Sequence, residues 1–151
     1  MKIKCFLMML MLAASVEAQQ VTNFLSSFKN KYPNESVKTI KHKHDGYMVV
    51  FMDSNKKSKA YFDSKAKWQK TETGLRWKEV PDSVKIGLNR SEYRGWAIQD
   101  SKRVETPNRI IYAIEVDNGN TLDRDHAISF SKNCYVDFTP SGKLIREEIL
   151  Q

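Results

Sequence analysis

The second half of this 151-residue chain repeats its first, and that constrains its fold more than any other feature. Tyr47-Met-Val-Val-Phe51 is followed by Ala60-Tyr-Phe62-Asp-Ser-Lys-Ala-Lys-Trp68, and Tyr112-Ala-Ile-Glu-Val116 by Val136-Asp-Phe138-Thr-Pro-Ser-Gly-Lys-Leu144. With Phe62 laid on Phe138, Ala60 meets Val136, Ala66 meets Gly142, Lys67 meets Lys143 and Trp68 meets Leu144. Two copies of a supersecondary unit, each too small to bury a core alone, are expected to share one by packing side by side.

Periodicity supplies the contents of each copy. Val21, Phe24, Leu25 and Phe28 form the stripe of an amphipathic helix over Val21 to Lys31, which Pro33 stops. The period then becomes two. An extended run from Val37, turned by His44-Asp-Gly46, leads to strands over Tyr47 to Asp53, Lys59 to Asp63 and Ala66 to Thr73, with Ser54 to Lys57 as a turn. In the second copy Pro81 starts a helix, and strands follow over Ala97 to Val104, Arg109 to Val116, Ile128 to Phe138 and Lys143 to Leu150. The expected fold is α+β: two tandem helix-plus-four-strand antiparallel repeats, about 20–75 and 76–151, sharing one sheet with the helices on one face. The polar stretch Asp117 to Asp125 has no counterpart in the first copy and is expected to form a surface loop suited to contacts.

Strand alternation divides the side chains. Tyr47, Val49 and Phe51, with Ala60 and Phe62, fall on the helix-covered face, as do Ile110, Tyr112, Ile114, Val116, Cys134, Val136 and Phe138. Met48, Val50, Met52, Tyr61, Ile111, Tyr135 and Trp77 are left for the other face, which is too apolar for ordinary surface. Either it is an interaction surface, or a loop, a terminal segment or a second copy of the chain covers it.

The ends and the charge bound where such a chain works. Lys2 and Lys4, the apolar run Phe6 to Ala14 and Val16-Glu-Ala18 read as a signal peptide over residues 1–18, too short for a membrane span. The mature chain, from Gln19, is then one exported domain without stable membrane insertion. It keeps 23 basic against 17 acidic residues, a net charge of +6, and one cysteine, Cys134, so it has no intramolecular disulfide. The lysines are scattered, and no RNA-binding signature accompanies them, so nucleic acid is not an expected partner.

Chemistry is thinly signalled. His42 and His44 point the same way if both lie in a strand, a spacing that can chelate, but Lys41 and Lys43 repel a cation and His126 or Asp45 would have to complete the set. Cys134 reads as a buried, inert thiol. Glu147 and Glu148 are adjacent and hence on opposite strand faces, which prevents their acting as a paired acid and base. Neither Asp53-Ser-Asn55 nor the 117–125 stretch keeps the spacing of an EF-hand. The expectation is a non-enzyme without cofactor or metal.

Tyr47-x-Val-x-Phe51, Ala60-x-Phe62-Asp63 with Lys67-Trp68, Thr71-Glu72-Thr73, Val80-Pro81, Tyr93-Arg-Gly-Trp96 and Thr106-Pro107 with Tyr112-x-Ile-x-Val116 resemble the PepSY-like family, whose fold is compared with the β-lactamase inhibitor protein. The resemblance spans about Phe24 to Ile149. It departs at Lys65-Ala66, where the family has a tight turn such as Asp-Gly, and at the longer 117–125 loop. It implies a periplasmic or secreted, non-catalytic module that binds an envelope or secreted protein or peptide, as an inhibitor or regulator of a peptidase or hydrolase. The residues expected to make that contact are Tyr61, Tyr135, Met48, Met52 and Trp77, with Lys59 as a charged rim. The competing reading is a carrier of a small apolar ligand; pairing of two chains over the apolar face is a further possibility.

Overall fold

The computed structural model describes residues 22–119 and 132–150. The expected signal peptide, most of the inserted loop, residues 120–125, and the start of the strand expected over Ile128 to Phe138, residues 128–131, lie outside these. The strands form one eight-stranded antiparallel sheet in sequence order: β1 (Val37–Lys43), β2 (Gly46–Asp53), β3 (Lys56–Asp63), β4 (Trp68–Gly74), β5 (Ala97–Glu105), β6 (Ile110–Asp117), β7 (Asn133–Phe138) and β8 (Leu144–Leu150). Helix α1 spans 22–31 and helix α2 Asp82–Arg90, the latter preceded by a short 3₁₀ turn, Trp77–Glu79. The chain falls into two compact units. One runs to Asn55 and includes Lys59–Lys70; the other comprises Lys56–Ser58 and everything from Thr71 onward.

In the first unit α1 buries Phe24 and Phe28 against Tyr47, Val49 and Phe51 of β2 and Ala60 and Phe62 of β3. Its core is largely aromatic. Phe24 stacks on Tyr47 at 4.7 Å between ring centroids and meets Phe62 edge-on at 5.1 Å, while Phe28 meets Phe51 edge-on at 5.2 Å. Such offset and edge contacts add about 0.5–1.5 kcal/mol each beyond area burial. The helix ends as Pro33 requires, and the Tyr32 N–H closes it by donating to the Phe28 carbonyl at 2.8 Å.

The second unit fills its core mainly with aliphatic side chains. Val84 and Leu88, four apart on α2, pack with Val80 and Tyr93 onto Ile114 and Val116 of β6 and Cys134, Val136 and Phe138 of β7. The register sets Tyr112 across from Phe138, Ile114 from Val136 and Val116 from Cys134, so the core side chains line up in rows. Ile86, two residues from each of its buried neighbours, is turned to solvent.

Two strand boundaries move for reasons of turn geometry. The connection after β2 needs only Ser54 and Asn55, with φ of 50° and 65°, because two left-handed residues give the hairpin turn that matches strand twist; Lys56 and Lys57 therefore belong to β3. Ala66, at φ 61°, belongs to a turn, so β4 starts at Trp68. Lys65-Ala66 holds a tight turn all the same. Asp63 N–H donates to the Lys67 carbonyl (3.0 Å) and Ala66 N–H to the Asp63 carbonyl (3.0 Å), while Asp63 Oδ1 accepts from the Lys65 and Lys67 amides at 2.9 Å each.

Candidate functional site

The two tyrosines expected to anchor a partner sit mid-strand, Tyr61 on β3 and Tyr135 on β7, and each is half-buried. A lysine ammonium lies over each ring: Lys70 Nζ is 4.6 Å from the Tyr61 centroid and Lys102 Nζ 4.4 Å from that of Tyr135. A cation over an aromatic face is worth about 0.5–1 kcal/mol at a hydrated surface, and it holds the ring in one orientation.

The first unit's remaining candidates divide by exposure. Lys59 is exposed and Met52 half-buried, but Met48 is only 7% exposed, across from Lys41 of β1. Met48 therefore supports the surface from below instead of presenting itself to a partner.

Around Tyr135 the surface is charged as well as aromatic. Glu115 lies directly across on β6 and Glu148 on β8, while Lys102 pairs with Ala113 on the neighbouring ladder. Burial, then the hydrogen bond with Glu115, push the Tyr135 hydroxyl up to about 12, so it remains a neutral donor at physiological pH. Asp137, two residues along, is nearly buried, and burial raises its carboxyl against the pull of Arg146 and Lys102. Val104 and Ala113 are buried on this face too. None of Met48, Val50, Met52 or Ile111, expected on this face from alternation, is strongly exposed.

Trp77 is a correction. It lies in the 3₁₀ turn and packs against the second unit's core cluster, with Lys85 Nζ 5.9 Å from its ring centroid, so it belongs to the helix-covered side. Strand alternation does not apply to it, because Glu79 folds back on Arg76 and closes the turn: the Arg76 amide donates to Glu79 Oε2 at 2.9 Å and the guanidinium to Oε1 at 3.1 Å. Those bonds hold the Glu79 carboxyl down to about 2.

The histidine pair is not assembled. His42 ends up edge-on to Tyr47, 5.1 Å between centroids, whereas His44 is in the turn beyond β1 with Nδ1 2.7 Å from Asp45 Oδ1. His126 lies outside the described residues. Among the described residues no three His, Cys, Asp or Glu side chains gather to hold a metal. Cys134 is fully buried beside Val136 and Phe138, and burial pushes its thiol up, away from the reactive thiolate.

One feature has little sequence signal. The two Thr-Pro turns, Thr106-Pro107 and Thr139-Pro140, come together with Ile110, Ile111 and Ile145 around an open groove of about 570 Å³. Its rim carries Arg109 and the ion pair of Arg103 Nη1 with Glu105 Oε2, 2.9 Å. The repeated Thr-Pro dipeptide was the available hint, since each caps a hairpin end; only the order of the strands makes them neighbours.

Residues 10–51 and 45–146 match the beta-lactamase-inhibitor-like, PepSY-like family. The chain belongs to the PepSY-like family. Its fold is shared with a DUF2874 family protein from Bacteroides uniformis, at 26% identity over 84% of this chain and 87% of that one (TM-score 0.72). A BLIP-like protein from Bacteroides fragilis aligns at 23% identity over 85% of each chain (TM-score 0.74). A protein from Bacteroides eggerthii, described as a candidate periplasmic protein, aligns at 23% identity over 84% and 86% (TM-score 0.66). No curated protein matches the sequence. Among the described residues no helix is long and apolar enough to cross a membrane.

Proposed function

We propose that this PepSY-like chain is an exported, non-catalytic module that binds an envelope or secreted protein or peptide and so regulates a peptidase or hydrolase in the periplasm or outside the cell. The observation that carries the reading is the pair of mid-strand tyrosines, each held by a lysine over its ring. Rigid aromatic side chains bind at low entropic cost, and a fixed cation beside them favours an acidic partner surface. The inhibitor-like family and a net charge of +7 over the whole chain support it. Tyr61, Met52 and Lys59 form the contact in the first unit, with Met48 as their support, and Tyr135 with Lys102 that in the second. Trp77 has no part in it. The two units are read as copies of one helix-and-hairpins element, a reading supported by the equivalent turns that close the β3–β4 and β7–β8 hairpins.

The test is affinity capture from the envelope fraction with the chain purified after export, beside Tyr61→Ala, Tyr135→Ala and the double variant, followed by mass spectrometry. Proteins held by the parent and lost from the double variant, with its fold intact by circular dichroism, are the expected result. Equal retention by parent and double variant would remove these tyrosines from the binding surface.

A further inference from the structure

We propose that strand β8 is the docking edge for a second copy of this chain, joined to it in antiparallel pairing about a two-fold axis through Glu147. β8 ends the sheet order, and among the described residues no strand pairs with its outer edge, so it offers an unused row of backbone donors and acceptors. The opposite end of the order is blunted: β1 carries Lys38, Lys41 and Lys43 within seven residues, charges that discourage strand addition. β8 carries as many charges, Arg146, Glu147 and Glu148, but of both signs, so a strand of complementary pattern can pair with it instead of being repelled. Of the six strongly exposed large hydrophobics among the described residues, Leu144, Ile145 and Ile149 lie on this one strand, Ile149 at 56%.

The choice of a second copy rests on charge complementarity. β8 reads Leu-Ile-Arg-Glu-Glu-Ile-Leu, which reversed is the same string with arginine and glutamate exchanged at positions 146 and 148. A two-fold axis at Glu147 therefore sets Arg146 of each copy across from Glu148 of the other, with aliphatic residues flanking on both sides. Arg146 and Glu148 already share one face and pair along the strand, so docking two copies makes an alternating square of four charges. Glu147 faces its own counterpart, the one unfavourable juxtaposition. It is on the other face, and each copy's Tyr93 hydroxyl donates to its carboxylate. The bulge opposite Phe138 falls at the Leu144 end, outside the central three residues that set the register.

The charge pattern supplies its own test. R146E or E148R alone places like charges opposite each other twice, whereas an equal mixture of the two variants restores both attractive pairs in a heterodimer. Sedimentation equilibrium of the chain purified after export is expected to show a monomer–dimer equilibrium, weakened about tenfold or more in each variant and recovered in the mixture. Both positions are exposed, and circular dichroism checks that each variant is folded. A parent that is monomeric throughout, variants that dimerise as the parent does, or a mixture no tighter than its components would each overturn the proposal.

Discussion

The β3–β4 turn and the β7–β8 turn are closed by equivalent bonds, yet they place different residues at the same backbone conformation. Thr139 N–H donates to the Lys143 carbonyl (2.9 Å) and Gly142 N–H to the Thr139 carbonyl (2.9 Å), as Asp63 does with Lys67 and Ala66 with Asp63. Thr139 Oγ1 accepts from the Lys143 amide at 3.1 Å, where Asp63 Oδ1 accepts from Lys67 at 2.9 Å. The left-handed residue is Ala66 in the first turn, at φ 61°, and Gly142 in the second, at φ 83°. The reason is what each turn touches. The Ala66 methyl packs into the first unit's core, whereas a methyl on Gly142 would sit 2.0 Å from the Ser83 carbonyl of α2. Gly87 of α2 in turn abuts Gly142, and Ser83 Oγ donates to the Pro140 carbonyl at 2.6 Å, so helix and turn meet backbone to backbone. Conformation is thus set by local hydrogen bonds, and residue identity by the neighbouring element.

Reciprocal exchange at these two positions breaks the comparison most sharply. Gly142→Ala should destabilise the protein by about 3 kcal/mol or more in urea unfolding, since a left-handed alanine costs about 1–2 kcal/mol before any displacement of α2 is counted. A loss of only about 1–2 kcal/mol, the strain alone, would mean that α2 moves aside freely. Next in size is the side chain that closes each turn. Asp63→Ala removes the acceptor of two amide N–H groups and of Gln69 Nε2 (2.8 Å), and should cost about 1–2 kcal/mol, more than Thr139→Ala, which loses one amide N–H and the exposed hydroxyl contact with Ser141 (2.8 Å). Equal losses at the two sites, by the same unfolding curve, would show that the extra Asp63 bonds contribute nothing. The smallest effect belongs to Ala66→Gly. Relief of the left-handed backbone, about 1 kcal/mol, nearly offsets the lost methyl burial, about 0.8 kcal/mol, so stability should change by less than about 0.5 kcal/mol. A large loss there would assign Ala66 a packing role that outweighs its strain.

The cores show the same division of labour. Each unit buries a strand phenylalanine, Phe62 or Phe138, but around it the first unit fills its interior with Phe24, Phe28, Phe51 and Tyr47, and the second with Val84, Leu88, Ile114, Val116 and Val136. Alternation identified the strand residues among these from sequence, and the helical stripe Phe24 and Phe28, because both periods follow directly from backbone geometry and need no knowledge of the partner element; Val84 and Leu88 were not assigned to a core. It misplaced Trp77, whose segment is not extended, and it could not foresee that Met48 would be covered, since cover comes from neighbouring strands.

What the sequence by itself determined is the local grammar: the α+β class, the helix over 22–31 ended by Pro33, Pro81 ahead of α2, the strands to within a few residues where they are described, and the side of β2, β3, β6 and β7 that faces a core. These follow from proline geometry and side-chain periodicity, which act over a few residues. Only the tertiary structure decided the rest: the lysines seated over Tyr61 and Tyr135, the nearly buried Asp137, the groove between the two Thr-Pro turns and the place of β8 at the end of the sheet order. Each of those depends on which strands become neighbours. Strand neighbours are chosen by the whole sheet at once, through hydrogen-bonded register and shared burial, and no window of sequence contains that choice.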